Sequence, residues 1–413
     1  MAKYQRTDHA ANEKCEALNL RIDLPMKELM SGVRDDIERF CAQIGLKIMR
    51  EVMEYEIASK VGRWGSQRAY RHGKQSGYVV YAGRKLAIER PRLRHRDQGE
   101  IPLETYQRFQ SNGRMQRAVA RKLMRHCSTR DYEGALEECL EGYGIKRSSV
   151  SRHFKLATIA QVKELLEKPV PPELLAVVID AQYFSKQCIV VALGIDKEGR
   201  KHVLGLWQGG TENTTVVKAL LEDLVARGLN PERKLLFVID GNKALRSALS
   251  RVFGERAVVQ RCRVHKERNV TEHLPKDKQK QASWRLRAAW ARSNATEAER
   301  ELRKVTGWLR GINPSAANSL EEGLEETLTL QKLGVNHRLA HCLSSTNMIE
   351  SCFSRTGSLV QRVKHWQHGE MVQRWAAAAL KVAQKGFRRV RAFEHLGALE
   401  DALSQSENLL KAA

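Results

Sequence analysis

The sequence predicts an α/β fold: a mixed sheet covered by helices, interrupted by an all-helical segment and preceded by a mainly helical N-terminal region. Three observations predict it. Two apolar runs, Leu174-Leu175-Ala176-Val177-Val178-Ile179-Asp180 and Leu235-Leu236-Phe237-Val238-Ile239-Asp240, have the length of strands buried on both faces, about 5 to 7 residues, and each ends in an aspartate. Beyond a proline-rich break at Lys168-Pro169-Val170-Pro171-Pro172, strand-like and helix-like segments alternate. From Arg263 to about Ala340 the chain has helix breakers at Pro275 and at Gly311-Ile312-Asn313-Pro314 but no strand-like run; so long a stretch inside a compact domain folds by itself rather than as a loop.

Composition narrows the partner. A chain of 413 residues is long enough for two or three domains, and 42% hydrophobic residues suffice for ordinary cores. With 71 Lys and Arg against 48 Asp and Glu, the formal charge is +23, which implies a polyanion, nucleic acid first. An acidic membrane surface competes with that reading, but the longest apolar runs, such as Cys188 to Ile195, fall well short of the roughly 20 residues that span a bilayer. Met1-Ala2-Lys3-Tyr4-Gln5-Arg6 lacks the apolar core of a signal peptide, so a cytoplasmic location is expected. The eight cysteines show no framework of spacings and are expected to be free thiols.

Residues 1–110 read as a helical segment plus a β-hairpin. Val33, Ile37, Phe40, Ile44, Ile48 and Val52 form an apolar stripe between Met26 and Lys60, either a core helix or a dimerisation helix. Tyr78 to Arg94 carries two apolar stretches around Ala82-Gly83-Arg84-Lys85, a hairpin whose basic exit strand is either a phosphate contact or a solvated edge. Residues 111–168 read as a helix-turn-helix DNA-binding domain. A helix over Arg130–Leu140 breaks at Glu141-Gly142-Tyr143-Gly144, and a second, opened by Ser148 or Ser149, runs through Val150, Phe154 and Leu156. That helix would expose Ser151, Arg152, His153 and Lys155; helical hairpins that never touch DNA share the outline, and the basic charge favours Ser151, Arg152 and Lys155 as DNA contacts.

Residues 173–262 form the first part of the sheet domain: strands 174–180, 187–195 and 200–207, a helix 211–228, a strand 234–240, a helix 243–253 and a strand 256–261. Asp196-Lys197-Glu198-Gly199-Arg200 joins the second and third strands as a hairpin turn. Asp180 and Asp240 can then occupy adjacent strand ends and share a metal. A carboxylate at the end of a buried strand costs too much desolvation to be filler. Residues 263–343 are the helical insertion, and 344–413 resume the sheet domain and close with basic helices. There Ser344-Ser345-Thr346-Asn347 caps a helix with Glu350 in its first turn, where the helix dipole alone also favours an acid. Arg374, Lys381, Lys385, Arg388, Arg389 and Arg391 are a solvated face or a phosphate track. Cys262 and His265 make half of a zinc-ligand pattern, but His273, His337, His341 and Cys342 complete no signature spacing; a buried thiol and a satisfied imidazole are the plainer alternative.

Ile179-Asp180 with Tyr183, the block Phe237-Val238-Ile239-Asp240-Gly241-Asn242-Lys243-Ala244-Leu245, Cys262-Arg263-Val264-His265-Lys266 and Thr346-Asn347-Met348-Ile349-Glu350 together resemble the mutator-type transposases of bacterial insertion sequences. The resemblance covers most of the chain, including Cys127-Ser128-Thr129-Arg130 and Ser148 to Arg152; one departure is Ala181, where the family more often has Gly. It implies a DDE transposase with an RNase H-like catalytic fold and Asp180, Asp240 and Glu350 as catalytic acids and metal ligands. Cys262 and His265 would be an active-site signature. The implied cofactor is a pair of Mg²⁺ ions, with Mn²⁺ as a substitute, about 3.5 to 4 Å apart, activating water or a 3′-hydroxyl and stabilising the leaving 3′-oxygen. Partners would be double-stranded transposon-end and target DNA and, during synapsis, further copies of the chain in the bacterial nucleoid. Related transposases stack an aromatic side chain on an unpaired base, which would suit Trp284 or Trp290, although Trp284, Leu286 and Trp290 also fit a helical core. A structure-selective nuclease or resolvase, and a non-catalytic DNA-binding regulator, are the alternatives.

Overall fold

Helix α1 (Ile37–Val61) places Met49, Met53 and Ile57 at intervals of four, so that one stripe faces a small sheet. A computed structural model of the chain describes residues 37–61, 69–81, 84–124, 142–143, 146–184, 187–360, 363, 366 and 369–411. The chain divides into two compact units, Met1–Val119 with Cys127–His153, and Ala120–His126 with Phe154–Ala413.

In the first unit β1 (Ala69–Tyr81) and β2 (Arg84–His95) form a long antiparallel pair, registered from Ala69↔His95 to Tyr81↔Arg84. The expected hairpin is therefore present, but β1 starts at Ala69, well before Tyr78. Its first half, Ala69 to Gln75, is polar and mostly exposed, and so lacks the alternation that announces a strand. The short β3 (Gly99–Ile101) and β4 (Gly142–Tyr143) also pair with β2. Two helices follow β3: α2 (Glu104–Phe109) and α3 (Asn112–Leu123). Val79, Leu86, Ile88, Leu93, Leu103 and Tyr106 close the core with the α1 stripe.

Helix α4 (Arg147–Glu167) contains the expected second helix of the helix-turn-helix and continues to the proline break. The partner helix expected over Arg130–Leu140 lies outside the described residues. Ser151, Arg152 and Lys155 are exposed as expected, but His153 is buried. The reason is periodic: Val150, His153, Phe154, Ala157 and Thr158 form one stripe at three- and four-residue spacing. The two units divide within α4, and Val170 of the proline segment belongs to the core of the second.

The second unit is built on a five-stranded mixed sheet: β5 (Leu174–Phe184), β6 (Gln187–Asp196), β7 (Lys201–Gly209), β8 (Leu235–Ile239) and β9 (Ala257–Arg261). The order across it is β7-β6-β5-β8-β9; β5, β6 and β7 form an antiparallel meander, and β8 and β9 run parallel to β5. Asp196 locks the predicted turn, its carboxylate accepting from the backbone of Arg200 at 2.7 Å and meeting His202 at 2.8 Å, while Gly199 takes a φ of +75°. Helices α5 (Thr214–Ala226) and α6 (Lys243–Phe253) bury Leu220, Leu224, Leu245 and Phe253 against Val177, Ile179, Phe237 and Ile239. Every residue of β5 from Leu174 to Asp180 is buried, as a strand covered on both faces requires.

After β9 the chain is helical among the described residues up to Leu343: α7 (Arg263–Glu272), α8 (Lys276–Trp290), α9 (Ala295–Arg310), α10 (Pro314–Glu321), α11 (Thr329–Lys332) and α12 (His337–Leu343). These helices have their own core, from Val270 and Leu286 to Leu302, Leu309 and Leu320. The chain then returns to the sheet through α13 (Asn347–Val360) and α14 (Gly369–Gln384), and ends in α15 (Leu396–Lys411). No helix among the described residues is long and apolar enough to cross a membrane.

Glu56 gives the first unit a pH-sensitive anchor. Its carboxylate caps α2 by accepting from the backbone of Glu104 and Thr105, each at 2.9 Å, and from the Thr105 hydroxyl, and it pairs with Lys60 at 2.7 Å. Burial works to raise its pKa, but the bonds from Lys60, Thr105 and Glu104 prevail and hold it at about 2. A depressed acid contributes stability above its unfolded pKa and loses it as pH falls toward the folded value. Glu56→Gln is therefore expected to cost about 1–3 kcal/mol at pH 7, with the gap to wild type closing as pH falls from its usual value of 4.5 toward 2; urea unfolding of both chains across that range checks it.

Candidate functional site

The parallel part of the sheet sets one row of residues across three strands. Ile179 pairs with Ile239, and Ile239 with Arg261, so the next residues, Asp180, Asp240 and Cys262, follow a common row at the carboxyl ends of the parallel ladder. The chain leaves β5 toward β6 and β7 on one side and returns to β8 and β9 on the other, so this edge lies at the topological switch point, where open α/β sheets bind ligands. β5 itself runs past the expected end at Asp180 to Phe184, because the antiparallel ladder with β6 continues. Asp180 is only 7% exposed.

Cys262 connects this edge to two helices. Its backbone N–H donates to the Ile239 carbonyl at 2.7 Å, and it is the N-cap of α7, its sulfur accepting from the His265 N–H at 3.5 Å. The same sulfur accepts from the Thr346 N–H at 3.4 Å and from the Thr346 hydroxyl at 3.6 Å. Arg263 N–H donates to the Ser344 carbonyl at 2.9 Å, so the segment that opens α13 is docked against the start of α7. Glu350 lies in the first turn of α13, as its capping sequence predicts, with its N–H bonded to the Thr346 carbonyl.

Ligand atoms of Asp180, His265 and Glu350 consequently lie within 4.8 Å of one another. His265 Nε2 is 3.6 Å from Glu350 Oε1, and the Thr346 hydroxyl lies 3.3 Å from His265 Nδ1 and 3.2 Å from Glu350 Oε1. Of the trio that the sequence predicts, Asp180 and Glu350 stand in this tight group, and His265 takes the place expected of Asp240. One oxygen of Asp240 accepts from the Asn242 N–H at 2.9 Å in the turn leading into α6. Its charge nonetheless acts on Asp180.

The electrostatics favour a cation. Burial, with Asp240 and Glu350 adding to it, pushes the Asp180 carboxyl up to about 6 against the Ala181 N–H and His265. His265 is pushed up to about 9 by its bond to the Cys262 thiol and by Asp180 and Glu350, against burial. For Cys262 burial acts upward, but the bonds from His265 and Thr346 outweigh it and lower the thiol. Among the described residues no lysine or arginine pairs with Asp180, Asp240 or Glu350, so the imidazolium is the positive charge that the protein itself supplies to the cluster. Carboxylate oxygens with partial solvent access suit a hard divalent cation, and the two carboxylates of the group fit one.

Arg261 braces the turn that holds Asp240. It is 6% exposed, and its guanidinium donates to the Gly241 carbonyl at 3.1 Å and to the Glu322 carbonyl at 2.9 Å. A Cβ at Gly241 or Gly323 would collide with that guanidinium, so both glycines make room for it. No sequence pattern singled out Arg261, which ends β9 just before the Cys262 block, nor Glu212, which lies in a polar turn before α5 and bears on the same cluster.

The other predicted contacts are distributed elsewhere. Trp284 on α8 is 70% exposed, beside Lys280, Ser283 and Arg287 in a surface depression. Trp290 is 6% exposed, and its indole N–H donates to the Thr327 hydroxyl at 3.1 Å, so it is a core residue. Arg388 and Arg389 are exposed after α14, with Arg389 over the Phe393 ring. Ser151, Arg152 and Lys155 are exposed on α4.

The mixed sheet thus carries a candidate metal-binding group of two carboxylates and an imidazole at its switch point. Residues 15–389 match the transposase family described as mutator, and the chain belongs to that family. It is 29% identical over 317 residues to the transposase for insertion sequence element ISRM5 of Rhizobium meliloti, covering 73% of this chain and 77% of that one. It is 26% identical to the transposase of IS905 from Lactococcus lactis, over 72% of this chain and 75% of the relative, and 25% identical to that of IS256 in transposon Tn4001 from Staphylococcus aureus, over 77% and 83%.

Two outcomes are expected at the junction and the cluster. Cys262→Ala removes the acceptor for the N–H groups of His265 and Thr346 and should destabilise the chain by about 1–3 kcal/mol in denaturant unfolding. Asp180→Asn removes a carboxylate whose ionised form burial disfavours, and should melt at or above the wild-type temperature at pH 7.5 without divalent metal; a drop of several degrees in a calorimetric scan would contradict the assignment.

Proposed function

We propose that the chain is a DNA transposase in which Asp180, Asp240 and Glu350 are the catalytic acids on an RNase H-like sheet. The observation that carries this reading is the convergence of Asp180, Glu350 and His265 within 4.8 Å, with Asp240 one residue beyond the β5–β8 row, in a member of the mutator family. A three-stranded meander followed by two parallel strands supports the fold assignment.

In this reading the three acids hold Mg²⁺, which when bound supplies the activation of the attacking hydroxyl and stabilises the charge on the leaving 3′-oxygen. The protein's part is orientation and charge. Asp180, buried at the centre, presents a carboxylate with little freedom to move. His265 steadies Glu350 through the 3.6 Å contact and, as an imidazolium, offers an N–H to a phosphate oxygen. Asp240 is held by the Arg261 brace. The same site then cleaves at the element end and directs the 3′-hydroxyl into target DNA.

The remaining DNA contacts follow from exposure. Trp284, flanked by Lys280 and Arg287, offers a stacking face, while Arg388 and Arg389 and the exposed Ser151, Arg152 and Lys155 of α4 reach phosphates. Synapsis of two element ends would bring together at least two copies of the chain in the bacterial cytoplasm, at the nucleoid.

The decisive assay incubates the chain with labelled duplex from the ends of the DNA segment that encodes it, with Mg²⁺. Nicked and strand-joined products are expected, with Asp240→Ala reducing both by at least about 10²-fold, the scale of losing one electrostatic stabiliser. Cutting of branched DNA without joining would favour a resolvase instead, and metal-independent binding without cleavage a regulator. Trp284→Ala should weaken end binding by about 1–3 kcal/mol with the melting temperature unchanged, whereas Trp290→Ala should cost about 3–5 kcal/mol of stability; equal behaviour of the two variants would remove Trp284 from the interface.

A further inference from the structure

We infer that Arg261 is a positioning residue through which the helical insertion sets the carboxylate of Asp240. The inference rests on the proposed role of Asp240 as a metal-holding acid and deepens it, because it makes residues 322–326 of the insertion part of what holds that acid.

Asp240 opens the turn Asp240-Gly241-Asn242 between β8 and α6. Its Oδ1 accepts from the Asn242 N–H at 2.9 Å, and Asn242 in turn caps α6 by accepting from the Ala244 N–H at 2.8 Å. The N–H that Asp240 receives and the Gly241 carbonyl belong to one planar peptide unit, so the two groups turn together. Arg261 Nη2 donates to that carbonyl at 3.1 Å. A hold on the carbonyl side of the plane therefore fixes where the N–H points and, with it, the rotamer of the Asp240 carboxylate.

The other side of the guanidinium is held by the insertion. Nη1 donates to the Glu322 carbonyl at 2.9 Å, immediately after α10, and Nη2 also meets the Glu322 carboxylate at 3.3 Å. A Cβ on Gly323 would collide with Nη1 and one on Gly241 with Nη2, so the guanidinium is boxed between the two segments with no slack. A second link joins the same pieces, since Arg246 of α6 pairs with Glu326 at 2.7 Å. For stability alone Arg261 is a poor choice. Its Nε is enclosed without a hydrogen-bond partner, and the carboxylate that it meets is half exposed, so its desolvation is incompletely offset. What the side chain supplies is geometry: donors of one rigid plane span two carbonyls from separate elements, which a lysine or an apolar side chain cannot do.

The test uses the full-length chain, with amide exchange of the Asp240 turn followed by mass spectrometry without metal, melting temperatures taken in parallel, and Mn²⁺ then titrated by electron paramagnetic resonance. Arg261→Met is expected to speed exchange in the turn by about tenfold, the scale of one lost bond to a charged group, and to weaken Mn²⁺ binding by about 10- to 100-fold. Arg261→Lys, able to reach one carbonyl, is expected to fall between Arg261→Met and wild type. Gly323→Ala, whose added Cβ displaces the guanidinium from the insertion side, is expected to reproduce the effect with Arg261 intact, and it decides the matter should the Arg261 variants not fold. Thr329→Val is the control: the Thr329 hydroxyl docks the insertion on β9 by donating to the Val259 carbonyl at 2.6 Å, away from Arg261, so its loss should lower the melting temperature with turn exchange and Mn²⁺ affinity unchanged. Wild-type exchange in the turn of folded Arg261→Met or Gly323→Ala, or the same acceleration in Thr329→Val, would overturn the inference. Asp240→Asn separates the two levels: lost Mn²⁺ binding there with wild-type affinity in the Arg261 and Gly323 variants removes Arg261 alone, whereas no Mn²⁺ binding by the wild-type chain removes the metal-site reading and leaves the exchange rates to decide whether Arg261 holds the turn.

Discussion

The register of β8 between β5 and β9 is the constraint on which the site depends. Because Ile179, Ile239 and Arg261 share one row, Asp180, Asp240 and Cys262 share the next. A slip of one residue by any of the three strands would turn its alternating side chains to the opposite face and break the row. That slip is opposed by the core beneath it, where Val177, Ile179, Phe237 and Ile239 meet Leu220, Leu245 and Phe253 of the covering helices. The acids are thus located by apolar packing several residues away, and their own mutual repulsion is tolerated because the sheet leaves them no alternative position.

What the sheet does for two acids, a sulfur atom does for the third. Glu350 is remote in sequence and arrives on a helix, and its approach is fixed where the Thr346 N–H and hydroxyl reach the Cys262 thiol. The same atom caps α7 and so orients His265. Cysteine suits the position because a large, weakly polar acceptor can serve several donors at long range, where a carboxylate would have brought another charge. The Cys-x-x-His spacing therefore has a geometric meaning: the first residue is the N-cap, and the second is the residue whose N–H the cap receives and whose ring, one turn into the helix, faces the acids.

Much of this was legible in the sequence. The apolar runs of β5 and β8 were plain because both faces are buried, and the capping run before Glu350 marked the start of α13. The position of Asp240 was legible, but not its bond to Asn242, which keeps it beside the tight group and depends on the local turn. Other features were hidden for identifiable reasons. The polar half of β1 is held by ladder pairing that leaves no mark in hydropathy. His153 lies on the buried stripe of α4, but a histidine there reads as polar. Trp284 and Trp290 share a helical pattern, and only tertiary packing tells the exposed ring from the buried one. Glu212 sits in a glycine-rich polar turn, where an acid ordinarily means solvent.

Several cations are buried in the second unit and take no part in its surface. Lys266 is 1% exposed and donates to the carbonyls of Ser319 and Glu322 at 2.6 Å each; burial, with Arg261 close by, pulls its pKa down to about 8. Arg263 gives its guanidinium to the Thr327 carbonyl at 2.9 Å, and Arg227 reaches the carbonyls of Lys168 and Leu204. These side chains serve as internal rivets at helix ends and loop carbonyls, and their donors are taken up inside the protein. A polyanion approaching the molecule would still feel the full excess of +23, but only the outward-facing arginines and lysines could touch it, so the contacts are fewer than the basic residues.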